Sequence, residues 1–327
     1  MAFSRTVQVR QFLYRPQDRL IEVIETFIKL NIGQNIIKLI MNKMYHVYSE
    51  GDNVLFRGDS DYTFFNNKFA SSTFLYRLSP LAETTMSTHY HSLLEPADES
   101  AILDFKKKIK KSYSLYYENK YGKTLEDEFK IESLEIVGID SIIQELIYIM
   151  KNPVHHYVTS YPFEYPYSSA PFLFMDRLMP PQIIESFMSR TVAFKDVSTR
   201  KRKQIVGRDT IPDNWRVTES GLILPSSYIN QQRARAFWNN NVKSFMFDIN
   251  KNQTDAKKET IQADILDLRT SGKNDIEVCK IVDDFATQAG KQSFHLLEPK
   301  ELTAVIRSLK MKGISKNQIA RCLWLKE

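Results

Sequence analysis

The sequence predicts an α+β fold with a central antiparallel sheet, followed by a mainly α-helical C-terminal domain. Two observations lead to this prediction. Strand-like and helix-like segments alternate in the first half of the chain, but without the regular β-α-β repeat that a parallel sheet requires. The composition then changes after a Tyr- and Pro-rich stretch at 161–172, and Pro180-Pro181 is a plausible boundary.

The length of 327 residues suits two domains, each large enough to bury its own core. We therefore predict an N-terminal helical segment over 1–42, an α+β domain over 43–175 and a basic, mainly helical domain over 176–327. A single domain is the alternative that this length allows.

Hydrophobic periodicity predicts the first elements. Residues 1–42 carry apolar side chains at helical spacing and predict one or two helices. Met44 to Tyr48 alternates as a strand does, and Val54 to Phe56 follows turn residues as a partner strand or an extended loop. Asp61 to Phe69 predicts a helix.

Four further segments complete the predicted α+β domain. One strand is expected over Thr84 to Leu94, between two prolines, and a strong helix over Ala101 to Tyr117. Leu134 to Val137 predicts a short strand. Ser141 to Lys151 predicts a helix that Asn152-Pro153 should stop, because proline lacks the N–H that a helix interior needs.

The net charge of +6 is distributed unevenly along the chain. Residues 1–175 carry 19 Lys and Arg against 21 Asp and Glu, whereas residues 176–327 carry 26 against 18. The excess includes the run Arg200-Lys201-Arg202-Lys203. Basic groups interleaved with aromatic residues, here Trp215 and Trp238, suit a phosphate backbone with stacked bases. The alternative is a solvated surface over ordinary core tryptophans.

Two features bear on the cellular compartment. Cys279 and Cys322 are too few for a disulfide framework or a four-thiolate zinc site, which favours a reducing cytosol. No uncharged apolar run reaches the ~18 residues of a membrane span, and no apolar segment follows the charges of Met1 to Arg10. The sequence therefore favours a cytoplasmic protein with no membrane partner.

Two histidines alternate with a tyrosine in the strand predicted before Pro96. Side chains alternate across a strand, so His89 and His91 project from one face, roughly 7 Å apart along the backbone, while Tyr90 points the other way. Two imidazoles so placed can converge on one metal ion. The pattern is also common among histidines that are simply packed or solvated.

The helix predicted from Ser141 carries a tyrosine in an unusual position. At 100° per residue, the apolar side chains fill one side of this helix and Tyr148 lies in the middle of the polar side. Asn152, whose amide oxygen is a hard metal ligand, follows one turn later on the same face. This placement favours a functional tyrosine, although surface tyrosines on helices are also common.

Taken together, these segments resemble the REP-associated tyrosine transposases, a group of single-tyrosine HUH transposases. The resemblance spans about 45–172, and its most specific element is Tyr-Ile-x-x-Asn-Pro-Val followed by Tyr-Pro-x-Ser-Ser. The tyrosine follows the histidine pair, whereas relaxases carry it before the pair. The matching segments are Tyr45-His46-Val47-Tyr48-Ser49-Glu50-Gly51, Asp61-Tyr62, Thr88-His89-Tyr90-His91-Ser92-Leu93-Leu94-Glu95-Pro96, Tyr148-Ile149-Met150-Lys151-Asn152-Pro153-Val154 and Tyr165-Pro166-Tyr167-Ser168-Ser169.

The resemblance implies a ferredoxin-like HUH domain with the two-histidine strand at the centre of its sheet. His89, His91 and Asn152 would bind Mg²⁺ or Mn²⁺, and Tyr148 would be the nucleophile. The implied activity is that of a transposase that nicks and joins single-stranded DNA beside a hairpin through a 5′-phosphotyrosine. Such a protein is expected at the nucleoid. Whether Tyr148 would act in its own subunit or in that of a homodimer partner stays open.

Other basic side chains are candidates for holding DNA. Lys107, Lys108 and Lys111 lie in the strong helix predicted at Ala101, which also offers tyrosines for stacking. Lys316 and Arg321 lie in the last predicted helix, and this end of the chain looks like the first two helices of a helix-turn-helix. The alternative for both segments is an ordinary helix with a solvated basic face.

Departures from the family pattern leave room for other interpretations. Thr88 stands where the family usually has Asn, and Glu126-Asp127-Glu128 is acidic where the family tends to carry an aromatic residue and an arginine. One alternative is a domesticated, non-catalytic DNA-hairpin-binding protein or regulator. A replication initiator of the same superfamily is another. His155 and His156 are interpreted as loop residues, and His46 as a residue that can line the site without a required role.

Overall fold

A computed structural model describes residues 43–125, 128–251 and 272–325. The helices predicted over 1–42 lie outside the described residues, as do Glu126 and Asp127 of the acidic segment. The described residues from Lys43 onward belong to one compact unit.

A four-stranded antiparallel sheet forms the centre of the first half. Its strands are β1 (Met44–Glu50), β2 (Leu78–Thr85), β3 (Tyr90–Pro96) and β4 (Lys130–Ile136). They lie in the order β2-β3-β1-β4, and each neighbouring pair is antiparallel. An antiparallel sheet combined with many helices confirms the predicted α+β class.

Three helices flank the strands along the chain. Helix α1 (Asp59–Leu75) follows β1, α2 (Ser100–Tyr121) follows β3, and α3 (Ile139–His155) follows β4. Because side chains alternate along each strand, the sheet supplies two separate cores. Val47 packs with α1 and α2, whereas Met44 packs with α3.

The prediction of a single strand over Thr84 to Leu94 is wrong, because a turn between β2 and β3 interrupts this segment and makes it part of a hairpin. Strands β2 and β3 are joined by a turn in which the Met86 amide donates to the His89 carbonyl at 2.7 Å. The Ser87 carbonyl accepts from the amides of Leu55 and Phe56, both at 2.9 Å. The turn is therefore held by a distant segment, and it lacks the Gly or Pro that would have marked it in the sequence.

Helix α3 continues past the position where it was predicted to stop. Pro153 lies inside the helix, which ends at His155. In the last turn a proline removes one hydrogen bond, to the Ile149 carbonyl, and leaves the rest of the helix intact. The Asn152 carbonyl still accepts from the His156 amide at 3.1 Å. Asn152 is consequently a helical residue, one turn after Tyr148.

The remainder of the described chain contains short helices and a small two-stranded sheet of β5 (Thr191–Ala193) and β6 (Arg216–Thr218). The further helices are α4 (Met175–Leu178), α5 (Pro181–Ser189), α6 (Thr199–Val206), α7 (Pro225–Tyr228), α8 (Gln231–Ala236), α9 (Val242–Asn250), α10 (Asp275–Gln288), α11 (Pro299–Met311) and α12 (Lys316–Leu323).

The core crosses the boundary predicted at residue 175. Trp215 and Tyr228 are buried in the same cluster as Phe69 and Phe105 of the first half. The division of the chain into domains over 43–175 and 176–327 stays a prediction. Within the described ranges, no helix combines the length and the apolar character that crossing a bilayer requires.

Helices α10, α11 and α12 form a third core that packs on the segment between β1 and α1. Val54 is buried in this core, and its amide donates to the Arg321 carbonyl at 3.0 Å. The Arg57 guanidinium lies 3.9 Å above the Phe294 ring and donates to Asp283 at 2.8 Å. The last helices are thereby attached near the end of the sheet where β1 ends and the β2–β3 turn lies.

Candidate active site

The structure brings together the four residues predicted for the metal and the nucleophile. His89 ends the β2–β3 turn and His91 lies on β3, while Tyr148 and Asn152 lie one turn apart on α3, which packs against β2 and β3. The His89 Nε2 atom is 3.0 Å from Asn152 Oδ1, and His91 Nε2 is 3.5 Å from the Tyr148 hydroxyl. The two histidine rings lie 5.0 Å apart.

Two further residues join the site, one of which, Glu145, the sequence analysis did not single out. His46 Nε2 lies 2.9 Å from His91 Nδ1, and the other His46 nitrogen lies 3.1 Å from Glu145 Oε1. His46 was expected only to line the site, and Glu145 was not considered. The sequence contained an indication of each position. His46 lies on the same strand face as Tyr48, which pairs with His91. Glu145 lies three residues before Tyr148 and therefore close to it on the helix surface.

The environment of Tyr148 opposes loss of its proton. Its pKa is raised to about 12, first by burial of the phenol and then by the Glu145 carboxylate, while the neighbouring Asn152 side chain acts in the opposite direction. The hydroxyl therefore stays protonated at neutral pH in this arrangement. A positive charge beside it would lower the cost of forming the phenolate.

His155 and His156 also face this region. His155 is the last residue of α3 and not a loop residue, and its ring stacks 6.0 Å from that of Tyr148. His156 caps the helix, with its ring 5.1 Å from that of His89. Imidazole rings therefore surround His89 and Tyr148 on the side of the helix end.

A cleft of about 700 Å³, a size typical of ligand sites, is lined by His89, His91, Tyr148, His155 and His156, whereas Asn152 is completely buried. One wall comes from the end of β1, the β2–β3 turn and the end of α3. The opposite wall comes from the start of α10 and from Gln318 and Arg321 of α12. The carboxylates in the lining are those of Glu50, Asp52, Asp275 and Glu277.

The donor set fits a divalent cation. His89, His91 and Asn152 offer two imidazole nitrogens and an amide oxygen, which Mn²⁺ accepts readily and Mg²⁺ accepts with added water. His89 Nε2 and Asn152 Oδ1 lie within hydrogen-bond distance of each other, 3.0 Å apart, so both atoms would be available to one ion at this point of the site. The described residues contain no cluster of three His, Cys, Asp or Glu able to hold a metal.

The lysines predicted on α2 differ in their surroundings. Lys107 and Lys111 are exposed, whereas Lys108 forms an ion pair with Asp209 at 3.0 Å. Two tyrosines of this helix, Tyr113 and Tyr117, are completely buried and are not available for stacking on bases. Tyr116 is partly buried, and its ring stacks on that of Phe64 at 4.0 Å.

The basic run at the start of α6 is also divided. Arg200 and Lys203 are exposed, but Lys201 donates to the Glu219 carbonyl at 2.6 Å and Arg202 donates to the Val197 carbonyl at 2.7 Å. The tryptophans interleaved with the basic residues, Trp215 and Trp238, are buried in cores and cannot stack on bases.

The last helix presents one of its two candidate residues to solvent. Lys316 is exposed, whereas Arg321 forms an ion pair with Asp275 at 2.8 Å in the wall of the cleft. The predicted DNA contacts of α2, α6 and α12 stay predictions, and the exposed members are Lys107, Lys111, Arg200, Lys203 and Lys316.

No protein-family model matches the chain, and no curated protein matches it. A solved structure of a REP-associated tyrosine transposase bound to a REP hairpin is similar, with 14% sequence identity and a TM-score of 0.33. The match covers 42% of this chain and 82% of that chain. Because a TM-score this low does not establish a shared fold, the function of this chain has to be inferred from its own residues.

Proposed function

We propose that this protein is a metal-dependent single-stranded DNA endonuclease and strand transferase of the transposase type, with Tyr148 as the nucleophile. The observation that carries the proposal is that His89 contacts Asn152 and His91 contacts the Tyr148 hydroxyl where the start of β3 packs on α3. A binding protein has no need of a tyrosine held beside three side chains that can ligate a metal.

The order of elements supports a ferredoxin-like HUH domain as the scaffold. The described chain runs β-α-β-β-α-β through β4, as ferredoxin-like folds do, with the strand order β2-β3-β1-β4. In this arrangement β1 and β3 are the central strands, and His46 and His91 project from them. A site built on central strands and a packed helix is held more precisely than one built on loops.

The proposed reaction assigns a task to each side chain. A divalent cation bound to His89, His91 and Asn152 would neutralise a non-bridging oxygen of the scissile phosphate. The Tyr148 oxygen forms a bond to phosphorus as the bond from phosphorus to the 3′-oxygen breaks, and in the net balance the phenol proton ends on that 3′-oxygen. The 5′-phosphotyrosine conserves the bond energy, so a 3′-hydroxyl can reverse the step and join strands without ATP.

The first prediction tests the nucleophile. Purified protein with Mn²⁺ and a hairpin-bearing single strand should form a covalent protein–DNA adduct, visible as a slower band on a denaturing gel. Tyr148→Phe should abolish the adduct while DNA binding persists. The matched control is Tyr157→Phe, since Tyr157 lines the same cleft and is 46% exposed. An adduct of equal yield in Tyr148→Phe would show that another residue attacks.

The acidic lining of the cleft favours one alternative. Glu50, Asp52, Asp275 and Glu277 repel phosphate, which suits a non-catalytic protein that binds a DNA hairpin on its exposed basic surface. Such a protein would bind the hairpin with a steep salt dependence and would cleave it with no divalent metal. Binding of that kind without adduct formation would replace the enzyme proposal.

A further inference from the structure

A line of polar contacts leads from α3 back to the candidate metal ligand His91. Glu145 Oε1 lies 3.1 Å from His46 Nδ1, and His46 Nε2 lies 2.9 Å from His91 Nδ1. The remaining His91 nitrogen, Nε2, is the one that lies beside Tyr148. His46 and His91 are 8% and 7% exposed, so both rings are held largely away from bulk water.

We propose that Glu145, acting through His46, is a positioning residue that determines which nitrogen of His91 carries the proton. The inference rests on the proposed function, in which His91 Nε2 is a ligand. A carboxylate carries no hydrogen of its own, so its negative charge 3.1 Å from His46 Nδ1 favours the tautomer with the hydrogen on that nitrogen. A neutral His46 then has its lone pair on Nε2, which accepts from His91 Nδ1–H.

The consequence falls on the far side of the His91 ring. With its hydrogen on Nδ1, His91 presents the lone pair of Nε2 toward Tyr148 and the His89–Asn152 pair. A metal ion and a phenol hydrogen both require a lone pair there. The arrangement follows the general rule that a ligating histidine donates from its other nitrogen to an outer group, which orients the ring.

His89 is supported in a different way. Its Nδ1 atom lies 2.7 Å from the Thr88 hydroxyl, which can either donate or accept. In the present arrangement His89 Nε2–H can donate to Asn152 Oδ1 while the Thr88 hydroxyl donates to Nδ1. When Nε2 is needed as a ligand, the hydroxyl can rotate and accept instead. The tautomer of His91 is therefore fixed by Glu145 through His46, whereas the tautomer of His89 can change.

Aromatic neighbours restrain the rings of this line. The Tyr48 ring lies 4.8 Å from that of His46, and the Tyr148 ring meets the His46 ring edge-on at 6.2 Å. These contacts limit rotation of His46, so its two nitrogens keep their assigned partners. Glu145 is itself fixed by the packing of α3, on which the neighbouring residue Leu146 is completely buried.

The tautomer can be read directly in protein without metal or DNA. The chain has six histidines, so selective ¹⁵N labelling of histidine gives an NMR spectrum that can be assigned by comparison with His91→Gln. In the parent we expect His91 to be protonated on Nδ1 and unprotonated on Nε2. Glu145→Gln should give a mixture of tautomers, because an amide can either donate to His46 or accept from it. Protonation of His91 on Nε2 in the parent, or identical spectra for parent and variant, would overturn the proposal.

Two further measurements separate this proposal from the proposed function. Removal of an outer partner typically costs 10–100-fold in metal affinity, so Glu145→Gln should weaken Mn²⁺ binding by about that factor in a calorimetric titration. Asp140→Asn, which removes an exposed carboxylate from the same helix, should leave the affinity unchanged. His46→Gln should reproduce both the mixed tautomer and the weaker binding, which guards against a folding defect in one variant.

The outcomes are distinguishable. A parent with the expected tautomer but no Mn²⁺ binding would remove the nuclease proposal and leave the tautomer assignment standing. Unchanged Mn²⁺ affinity in Glu145→Gln, with adduct formation intact, would remove the positioning role and leave the nuclease proposal standing.

Discussion

At the scale of single residues, burial keeps two ionisable groups of the first half neutral. Burial and the Glu145 carboxylate raise the pKa of Tyr148 to about 12, and burial raises the pKa of Glu83 to about 8, although a hydrogen bond from the Tyr228 hydroxyl opposes the second shift. Neither group gains enough compensation for a charge in its own surroundings. Ionisation of the tyrosine would require a nearby positive charge, whereas the glutamate is buried in its neutral form.

Glu83 makes the stability of the protein depend on pH. The pKa of Glu83 is about 8 in the folded protein, against an ordinary value of 4.5, so the folded state binds this proton more tightly than the unfolded chain does. The stabilisation is fully present below pH 4.5 and is lost as the pH rises through 8. Over that window the free energy of unfolding should fall by up to about 1.4 kcal/mol per pH unit.

The measurement is urea unfolding of the parent and Glu83→Gln from pH 5 to 9. The variant, which imitates the neutral acid, should match the parent near pH 5 and exceed it above pH 8. As a control, Glu132→Gln removes an exposed carboxylate and should preserve the parent slope. Parallel curves for parent and Glu83→Gln would contradict the assignment.

At the scale of elements, α3 sets the geometry of the site because it carries both Tyr148 and Asn152. Its apolar face is buried, with Leu146, Ile149 and Met150 each at most 1% exposed. The continuation of the helix through Pro153 matters for the same reason: an earlier stop would release Asn152 from the face that it shares with Tyr148.

Truncation of that buried face should cost stability and geometry together. Leu146→Ala should lower the free energy of unfolding by about 2–5 kcal/mol, because the cavity it leaves cannot collapse fully. The exposed Gln144→Ala on the same helix should change stability by less than about 0.5 kcal/mol. Chemical denaturation measures both variants. Similar losses in the two would mean that α3 is not packed as the structure shows.

At the scale of the whole molecule, the cleft depends on helices that are distant in sequence from its chemistry. Arg57, 2% exposed, donates to Asp283 of α10 and to the Cys322 carbonyl of α12 at 2.7 Å. Asp275 joins the same helices to the β2–β3 turn, since its carboxylate accepts from Ser87 at 3.2 Å and from Arg321. The second wall of the cleft is thus attached through a few buried polar contacts.

Loss of the Arg57 contacts should loosen that wall selectively. In Arg57→Met the Cys322 carbonyl loses its buried donor, so amides of α10 and α12 should exchange hydrogen faster, by at least tenfold if the loss is about 1.4 kcal/mol or more. Amides of β1 and β3 should keep the exchange rates of the parent. Hydrogen exchange followed by mass spectrometry measures both regions. Equal acceleration throughout would indicate global destabilisation instead.

Much of the candidate site was predictable because its spacing is local. A period of 3.6 places Tyr148 above Asn152 on one helix face. The two-residue spacing keeps His89 close to His91, but His89 lies in the turn before β3 and not in the predicted strand. The hairpin within 84–94 was not predictable in this way, because its turn is held by amides of Leu55 and Phe56.

Sequence periodicity was enough to indicate the α+β class and to place Tyr148 with Asn152 on one helix face, and the short spacing of His89 and His91 indicated the second candidate pair. The meeting of the two pairs became visible in the tertiary structure alone. The same is true of the contacts from Glu145 through His46 to His91, and of the part that α10 and α12 take in lining the cleft. The tertiary structure also decided which basic residues stay exposed, since Lys108 and Arg321 are held by carboxylates. These outcomes depend on contacts between residues far apart in the chain, and no local pattern records such contacts.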